Sequence, residues 1–185
     1  MNETLKTILS RRSVRNYSGE QIKREELDLI IKAGLYAPSA HNQQSWHFTV
    51  IEDRIVIDNL NAAAKKAMLN LEEDYLKAIA QDEARNIFHN APTVIVISGE
   101  KSAIAPHLDC GAATENMLIA AESLNIGTCW IGLVSPLFKS EKVQEWIKLL
   151  GIPEGFEPYY AIIVGYKAGE NTQALPRREN TVTFI

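Results

Sequence analysis

Three arginines and one serine lie within five residues near the start of the chain, in RRSVR at 11–15. In an extended segment the side chains of Arg11, Ser13 and Arg15 project to the same side, because successive side chains alternate with a period of two. The planar guanidinium of arginine can donate to two phosphate oxygens at once. The spacing therefore favours an anion-binding site, and the alternative is a basic surface turn exposed to solvent.

A second segment, APSAHNQQSW at 37–46, combines small residues with side-chain amides and ends on an aromatic residue. Small residues allow a backbone to approach a flat ring closely. Amides both donate and accept hydrogen bonds, which suits the edge of a heterocycle on which carbonyls and ring nitrogens alternate. The same composition is also typical of a plain turn between a helix and a strand.

A third pattern is the short apolar run TCWI, which Gly127 and Gly132 bracket. Glycine near the end of a strand marks the close approach of a ligand or of another backbone. Taken alone, the pattern indicates ordinary packing more often than a binding site, so it gains weight only beside the other two segments.

Several other chemistries lack the residues that they need. The chain has no G-x-G-x-x-G, no G-x-x-x-x-G-K-[ST] and no G-x-S-x-G, which argues against dinucleotide-binding, P-loop and hydrolase sites. Its four histidines do not have the spacing of metal ligands, so no metal is expected. Cys110 and Cys129 lie far apart in apolar surroundings and are expected to be reduced thiols in the core.

Charge and hydropathy restrict the partners and the location. A net charge of −4 and a pI near 5.6 argue against a nucleic-acid partner, because phosphate binding usually requires a basic surface. The N-terminus lacks the apolar segment of a signal peptide, and no apolar run approaches the ~18 residues of a membrane span. We therefore expect a cytoplasmic protein that binds neither nucleic acid nor membrane.

The three segments must be positioned by helices and strands, which the apolar periodicity predicts. Strands are expected at 46–51, 93–98, 128–133 and 158–165, and helices at 3–10, 23–36, 107–124 and 137–150, with a long polar helical region at 54–88. This alternation indicates an α+β fold or a three-layer α/β/α arrangement, which the spacing alone does not separate. No linker or repeat divides the chain, so residues 1–185 are expected to form a single domain.

The tail from residue 166 carries Pro176, Arg177 and Arg178 and then TVTFI, which is typical of a strand. A tail of roughly 20 residues with little core of its own makes an improbable loop inside a compact domain. We therefore expect the tail to lie against something else, such as a second subunit.

Taken together and in this order, the segments resemble the FMN-dependent nitroreductase family. RRSVRNYSGEQIKREELDLIIKAGLYAPSAHNQQSWHF is similar to the family's opening, an R-R-S-x-R segment and a helix followed by P-S-x-x-N-x-Q-P-W-x-F. LDCGAATENMLIAAESLNIGTCWIG is similar to the family's central helix and the strand after it. One residue departs from the pattern: Ser45 stands where the family usually has proline.

The resemblance implies a mixed sheet flanked by helices, and a homodimer with two non-covalent FMN sites at the subunit interface. The C-terminal tail would be swapped onto the partner subunit. Carried over by position, the FMN site consists of Arg11, Arg12, Ser13, Arg15, Pro38, Ser39, Ala40, Asn42, Gln44, Ile131, Gly132, Arg177 and Arg178.

Each segment has an implied role in that site. Residues 11–15 hold phosphate, ribityl or pyrimidine oxygens, with Arg12 acting mainly through its backbone and Arg15 as the cation near N1 and C2=O. Residues 38–40 pack along the isoalloxazine, and the amides of Asn42 and Gln44 bond toward its edge, in part from the other subunit. Residues 131–132 approach N5 through backbone, and one arginine of the tail completes the phosphate site.

The implied activity is the transfer of hydride from NADH or NADPH to N5, and then of electrons to an acceptor such as a nitroaromatic or a quinone, in ping-pong order. This scheme needs no side-chain acid or base, so no catalytic residue is named. Alternatives are another flavin reaction on the same fold (enone reduction, dehalogenation or dehydrogenation), a module that binds or senses FMN without turnover, and an interaction protein that binds no flavin.

Overall fold

The computed structural model describes residues 1–169 and 173–185. Its centre is a four-stranded sheet in the order β1-β2-β4-β3, in which every pair of neighbouring strands is antiparallel. The strands are β1 (Trp46–Ile51), β2 (Thr93–Glu100), β3 (Ile126–Ile131) and β4 (Phe156–Tyr166). Central β2 and β4 form the longest ladder, because the apolar run of β2 is buried along almost its whole length.

Helices flank the sheet. They are α1 (Glu3–Ser10), α2 (Arg24–Leu35), α3 (Arg54–Met68), α4 (Asp74–Gln81), α5 (Pro106–Ser123), α6 (Ser135–Phe138) and α7 (Val143–Leu149). Short 3-10 turns lie at Ala40–Asn42 and Gly132–Val134. Helix α5 is apolar on most sides and buries seven residues, which confirms its expected central position.

Alternation along β2 divides the core into two layers, since successive side chains of a strand point to opposite faces. Val94 and Val96 pack with α3, α4, α6 and α7, whereas Ile95 and Ile97 pack with α2 and α5. The sheet therefore lies between two helical layers. The α+β class and its three-layer α/β/α form are confirmed. A mixed sheet was expected, but all strand pairs in the described residues are antiparallel, and parallel pairing is confined to the single bridge between Ser13 and Thr128.

Two predicted helices are each divided in two. The region 54–88 ends its first helix at Met68 and begins the second at Asp74. Glu73 and Asp74 lie at that new N-terminus, where the helix dipole favours negative charge. The stretch 137–150 is interrupted at Ser140, whose Oγ donates to the carbonyl oxygen of Leu137 and accepts from the N–H of Lys142.

Two other boundaries also differ from expectation. Strand β3 ends at Ile131, and residues 132–134 form a 3-10 turn instead of continuing to residue 133. The strand expected from TVTFI is absent from the described chain, and Val182, Phe184 and Ile185 are exposed. A strand needs a neighbour for its ladder, and within one chain this segment lies beside none.

Cys110 and Cys129 are both buried free thiols, as expected. Within residues 1–169 and 173–185, no group of three or more His, Cys, Asp or Glu side chains could hold a metal ion. Among the same residues, no helix is both long and apolar enough to cross a membrane.

Candidate functional site

The arginine segment lies along the edge strand of the sheet. Ser13 forms a parallel bridge with Thr128, and the N–H of Val14 donates to the carbonyl oxygen of Thr128 at 2.8 Å. A Cβ on Gly127 would lie 2.9 Å from a methyl carbon of Val14, so only glycine lets the segment approach this closely. The structure thus brings together the first and the third of the patterns in the sequence.

The three guanidiniums of this segment are incompletely paired. Arg11 Nε lies 3.7 Å from Glu115 Oε1 on α5, which is beyond a good hydrogen bond. Arg15 Nη1 donates to the carbonyl oxygen of Ser13 at 3.4 Å, its only hydrogen bond among residues 1–169 and 173–185. Arg12 donates through Nη1 to the carbonyl oxygens of Leu9 and Arg11, but its Nε is buried without a partner in the described chain. The segment therefore keeps donors free for an anion.

The pKa values of a buried thiol, Cys129, and of a half-buried imidazole, His89, both include an effect of the charge on Arg15. Burial raises the pKa of the Cys129 thiol, and Arg15, a hydrogen bond from Ser13 and the charge of Arg11 lower it in part. The pKa of His89 is lowered by burial, and further by the charges of Arg15 and Arg85. Burial is the largest cause of both pKa shifts, and the arginine charges contribute to each in the direction that a positive potential beside β3 would give.

Strand β3 ends at Ile131, and the next residue, Gly132, lines a cleft of about 1260 Å³. Its lining also includes Trp146, Lys66, Asn70 and Tyr75. None of the residues in 54–88 was among those predicted from the sequence for the site. Ala63, Lys66 and Ala67 recur at helical spacing, so one face of α3 lines the cleft, and Asn70 lines it from just after the end of that helix. That spacing was visible in the sequence, but nothing in it indicated which residues the face opposes.

The loop 38–44 is folded around a 3-10 turn and lies at the start of α5. Its backbone takes a left-handed conformation at three non-glycine residues, with φ of 51° at His41, 57° at Asn42 and 50° at Gln44. The Nε2 of Gln44 donates to Asn42 Oδ1 at 3.2 Å, so the two predicted ring-edge amides bond to each other. Both residues are exposed.

Two buried or half-buried contacts fix this loop to α5. The N–H of Ala40 donates to Asp109 Oδ1 at 2.9 Å, and the hydroxyl of Ser45 donates to Asp109 Oδ2 at 2.7 Å. Asp109 and Glu115 both belong to α5, about 9 Å apart along its axis at 1.5 Å per residue. The helix therefore carries the loop at one position and faces Arg11 at another.

The predicted residues fall into three groups in a single chain. Residues 11–15 and 131–132 belong to one edge of the sheet, and residues 38–44 form a separate loop. Arg177 and Arg178 lie exposed in the tail, without a polar contact to the rest of the described residues. Within one chain, these two arginines therefore do not lie beside the arginines of residues 11–15, where they were expected to complete the phosphate site.

The model of the Nitroreductase family matches residues 8–166, which is most of the chain. The chain belongs to the nitroreductase family. This confirms the resemblance of the arginine segment and the central helix, both of which lie inside the matched range.

Individual relatives agree with this membership. A protein of Archaeoglobus fulgidus whose name gives NADH dehydrogenase/NAD(P)H nitroreductase is 35% identical over 92% of this chain and 88% of its own length. A Bacillus subtilis FMN reductase [NAD(P)H] is 28% identical over 94% and 69%. The crystal structure of a Bacteroides fragilis nitroreductase with bound FMN superposes with a TM-score of 0.93, at 34% identity and with full coverage of both chains. Nitroreductase membership is thus supported in both sequence and fold.

Proposed function

We propose that the chain is an FMN-dependent oxidoreductase that takes electrons from NAD(P)H and passes them to an acceptor such as a nitroaromatic or a quinone. One observation carries the proposal: RRSVR lies against β3, and β3 ends at the cleft lined by Gly132. On this proposal, one strand connects the site for the phosphate with the cleft in which the redox partners bind. The names of the relatives, NAD(P)H nitroreductase and FMN reductase, agree with this chemistry.

The residues fit FMN by two criteria. The buried and unpartnered Nε of Arg12, with the weakly paired Arg11 and Arg15, leaves donors for a dianionic phosphate. A second phosphate would require a glycine-rich turn such as the dinucleotide fingerprint, which the sequence lacks. The donor set therefore favours the mononucleotide FMN over FAD.

When bound, FMN supplies the redox chemistry, taking hydride at N5 and returning electrons to the acceptor in a second half-reaction of ping-pong order. The residues of the chain bind and orient. Arg15 is proposed to place positive charge beside N1 and C2=O, where negative charge develops on reduction. The backbone of Ile131 and Gly132 is proposed to approach N5, and no side chain is assigned as acid or base.

The cleft beyond Gly132 is proposed to receive the nicotinamide and the acceptor. Lys66 and Asn70 offer polar groups on the α3 side, and Tyr75, Leu133 and Trp146 offer flat or apolar surface. Pockets with a mostly apolar lining and a few convergent polar groups are typical of sites for small molecules. The proximity of the cleft to Gly132 makes its residues the candidates for the acceptor side.

We further propose that the protein is a homodimer with FMN at the interface. Large apolar side chains are exposed on α1 (Leu5, Leu9), near the start of α5 (Leu108) and in the tail (Phe184, Ile185). Where such side chains form a contiguous patch, they mark an interaction surface. A second subunit would cover them, and it would allow the loop 38–44 and the tail arginines of one chain to complete the site of the other.

Steady-state kinetics tests the proposed activity against the alternatives. An enzyme consumes NADH or NADPH continuously when a quinone or a nitroaromatic is present, whereas a sensing module binds FMN and consumes at most one equivalent. A colourless purified protein that takes up no added FMN would remove both flavin functions and leave an interaction protein.

A further inference from the structure

A single buried carboxylate holds both ends of the loop 40–45. Asp109 is 4% exposed, and its two oxygens accept hydrogen bonds from the N–H of Ala40 and the hydroxyl of Ser45. The two donors stand five positions apart in the sequence and on either side of the turn. Asp109 therefore fixes the start and the end of the loop relative to α5.

The backbone between these two anchors is conformationally unfavourable. His41, Asn42 and Gln44 all have a φ between 50° and 57°, a region that side chains with a Cβ rarely adopt. Such a conformation persists only where the surroundings over-determine it. All three residues lie between Ala40 and Ser45, so the two hydrogen bonds to the Asp109 carboxylate restrain the segment that holds this unfavourable backbone.

Other bonds support the loop but do not replace this constraint. The N–H of Gln44 donates to Ser39 Oγ at 2.9 Å, which joins the loop to the residue directly before it. Gln43 Oε1 accepts from the N–H of Ile104, a residue in the exposed segment before α5. Among the described contacts of the loop, those to Asp109 are the ones that reach a buried side chain of a long helix.

We propose that Asp109 is a positioning residue for the flavin, acting through the conformation of the loop 40–45. The inference rests on the proposed FMN function, in which Asn42 and Gln44 meet the ring edge. Asp109 itself touches no reacting atom; it presents the two amides in one arrangement before the ligand arrives. Ser45 completes the arrangement through its hydroxyl, at the position where the family usually has proline.

The experiment compares two substitutions at one position. Asp109→Ala removes both acceptors, whereas Asp109→Asn keeps Oδ1 for the N–H of Ala40 and offers Nδ2 to the hydroxyl of Ser45, which can accept instead of donate. If the hydrogen bonds matter, Asp109→Ala weakens FMN binding on the order of tenfold or more and Asp109→Asn stays within about threefold of the wild type. If the negative charge of Asp109 mattered instead, Asn and Ala would behave alike, and the proposal would fail.

A second readout is independent of flavin. Hydrogen exchange of peptides covering 37–46 in the apo-protein should be faster in Asp109→Ala than in the wild type, because the N–H of Ala40 loses its acceptor. The matched control is Asp53→Ala: this carboxylate also accepts two hydrogen bonds, from the N–H groups of Ile55 and Val56, but at the start of α3. The control should leave both exchange at 37–46 and FMN affinity unchanged.

Two outcomes are decisive, and a further variant covers a failure to fold. Unchanged FMN affinity and unchanged exchange in Asp109→Ala would overturn the positioning role. If that variant does not fold, Ser45→Ala removes one of the two bonds without altering α5, and it must then weaken FMN binding in the same direction. A wild-type protein that binds no FMN would overturn the proposed function instead, so the two failures are distinguishable.

Discussion

Ser13 and Thr128 form a parallel bridge at the edge of an otherwise antiparallel sheet. The bridge places RRSVR beside β3 over the stretch that leads to Gly132. Two segments that are more than a hundred residues apart in the sequence thereby become one surface, with guanidinium donors along its length and a cleft at its end.

Loss of a guanidinium from this surface is expected to weaken FMN binding while the chain still folds. Arg11→Ala or Arg15→Ala removes a charge-assisted bond worth ~1.5–3 kcal/mol, which corresponds to a roughly ten- to hundredfold rise in Kd. Titration calorimetry of the apo-protein with FMN measures this change. Arg24→Ala is the control, because Arg24 is exposed and pairs with Asp28 on α2. Wild-type affinity in both site variants would reassign RRSVR to an exposed basic turn.

A methyl group at Gly127 is expected to separate RRSVR from β3. In Gly127→Ala the new Cβ would meet Val14 at 2.9 Å and Lys167 at 3.0 Å, so the fold should lose ~1–3 kcal/mol through overpacking. Flavin affinity should fall as well, because the arginines move with Val14. Gly111→Ala provides the comparison: its Cβ meets nothing within 4 Å and lies inside α5, where alanine is favoured. Denaturant unfolding and FMN titration of both variants test the prediction. Equal losses of stability and of FMN affinity in Gly127→Ala and Gly111→Ala would contradict it.

The pH dependence of stability should include a contribution from His89. Its pKa is lowered in the folded chain. As the pH decreases below the ordinary pKa near 6.5, the unfolded chain therefore takes up the proton first, and the free energy of unfolding decreases. His89→Asn removes the titration, and asparagine tolerates the left-handed φ of 51° at this position. Chemical unfolding between pH 5 and 8 should give a flatter profile for the variant. An identical acid decline in both proteins would exclude His89 as its source.

Removal of residues 170–185 is expected to weaken dimerisation and flavin retention together. Leu175, Val182, Phe184 and Ile185 are exposed in the single chain, and burying each on a partner is worth ~1.5–3 kcal/mol. The same docking would bring Arg177 and Arg178 toward an interfacial phosphate. Sedimentation and flavin stoichiometry of the truncated protein measure the two properties. A truncated protein that remains a fully loaded dimer would separate the tail from the interface.

The sequence predicted the features that depend on local patterns, and it did not predict contacts between residues far apart in the chain. Apolar runs and helical periodicity located β2 and α5 within two residues, since burial of a whole element depends on its own pattern. The arginine segment was identified by its chemistry alone. Its contact with Thr128 could not be predicted from the sequence, because a bridge between residues more than a hundred positions apart leaves no periodic pattern.

Other features depend on partners that local patterns do not reveal. Ser45 stood out as a departure from the family, but its acceptor, Asp109, lies 64 residues away. The cleft-lining face of α3 resembles that of any amphipathic helix until the fold shows that Gly132 lines the same cleft. The tail was predicted as a strand from its composition, yet a strand forms only beside a neighbour, and within one chain TVTFI has none.

The central claim is most directly tested by anaerobic stopped-flow absorbance of the purified protein loaded with one FMN per chain. We predict that NADH or NADPH bleaches the flavin band near 450 nm, and that a quinone or a nitroaromatic, mixed in afterwards, restores it in a separate phase. The pigment released by acid should be FMN. A protein that releases FAD or no flavin, or whose bound FMN neither nicotinamide reduces, would contradict the account.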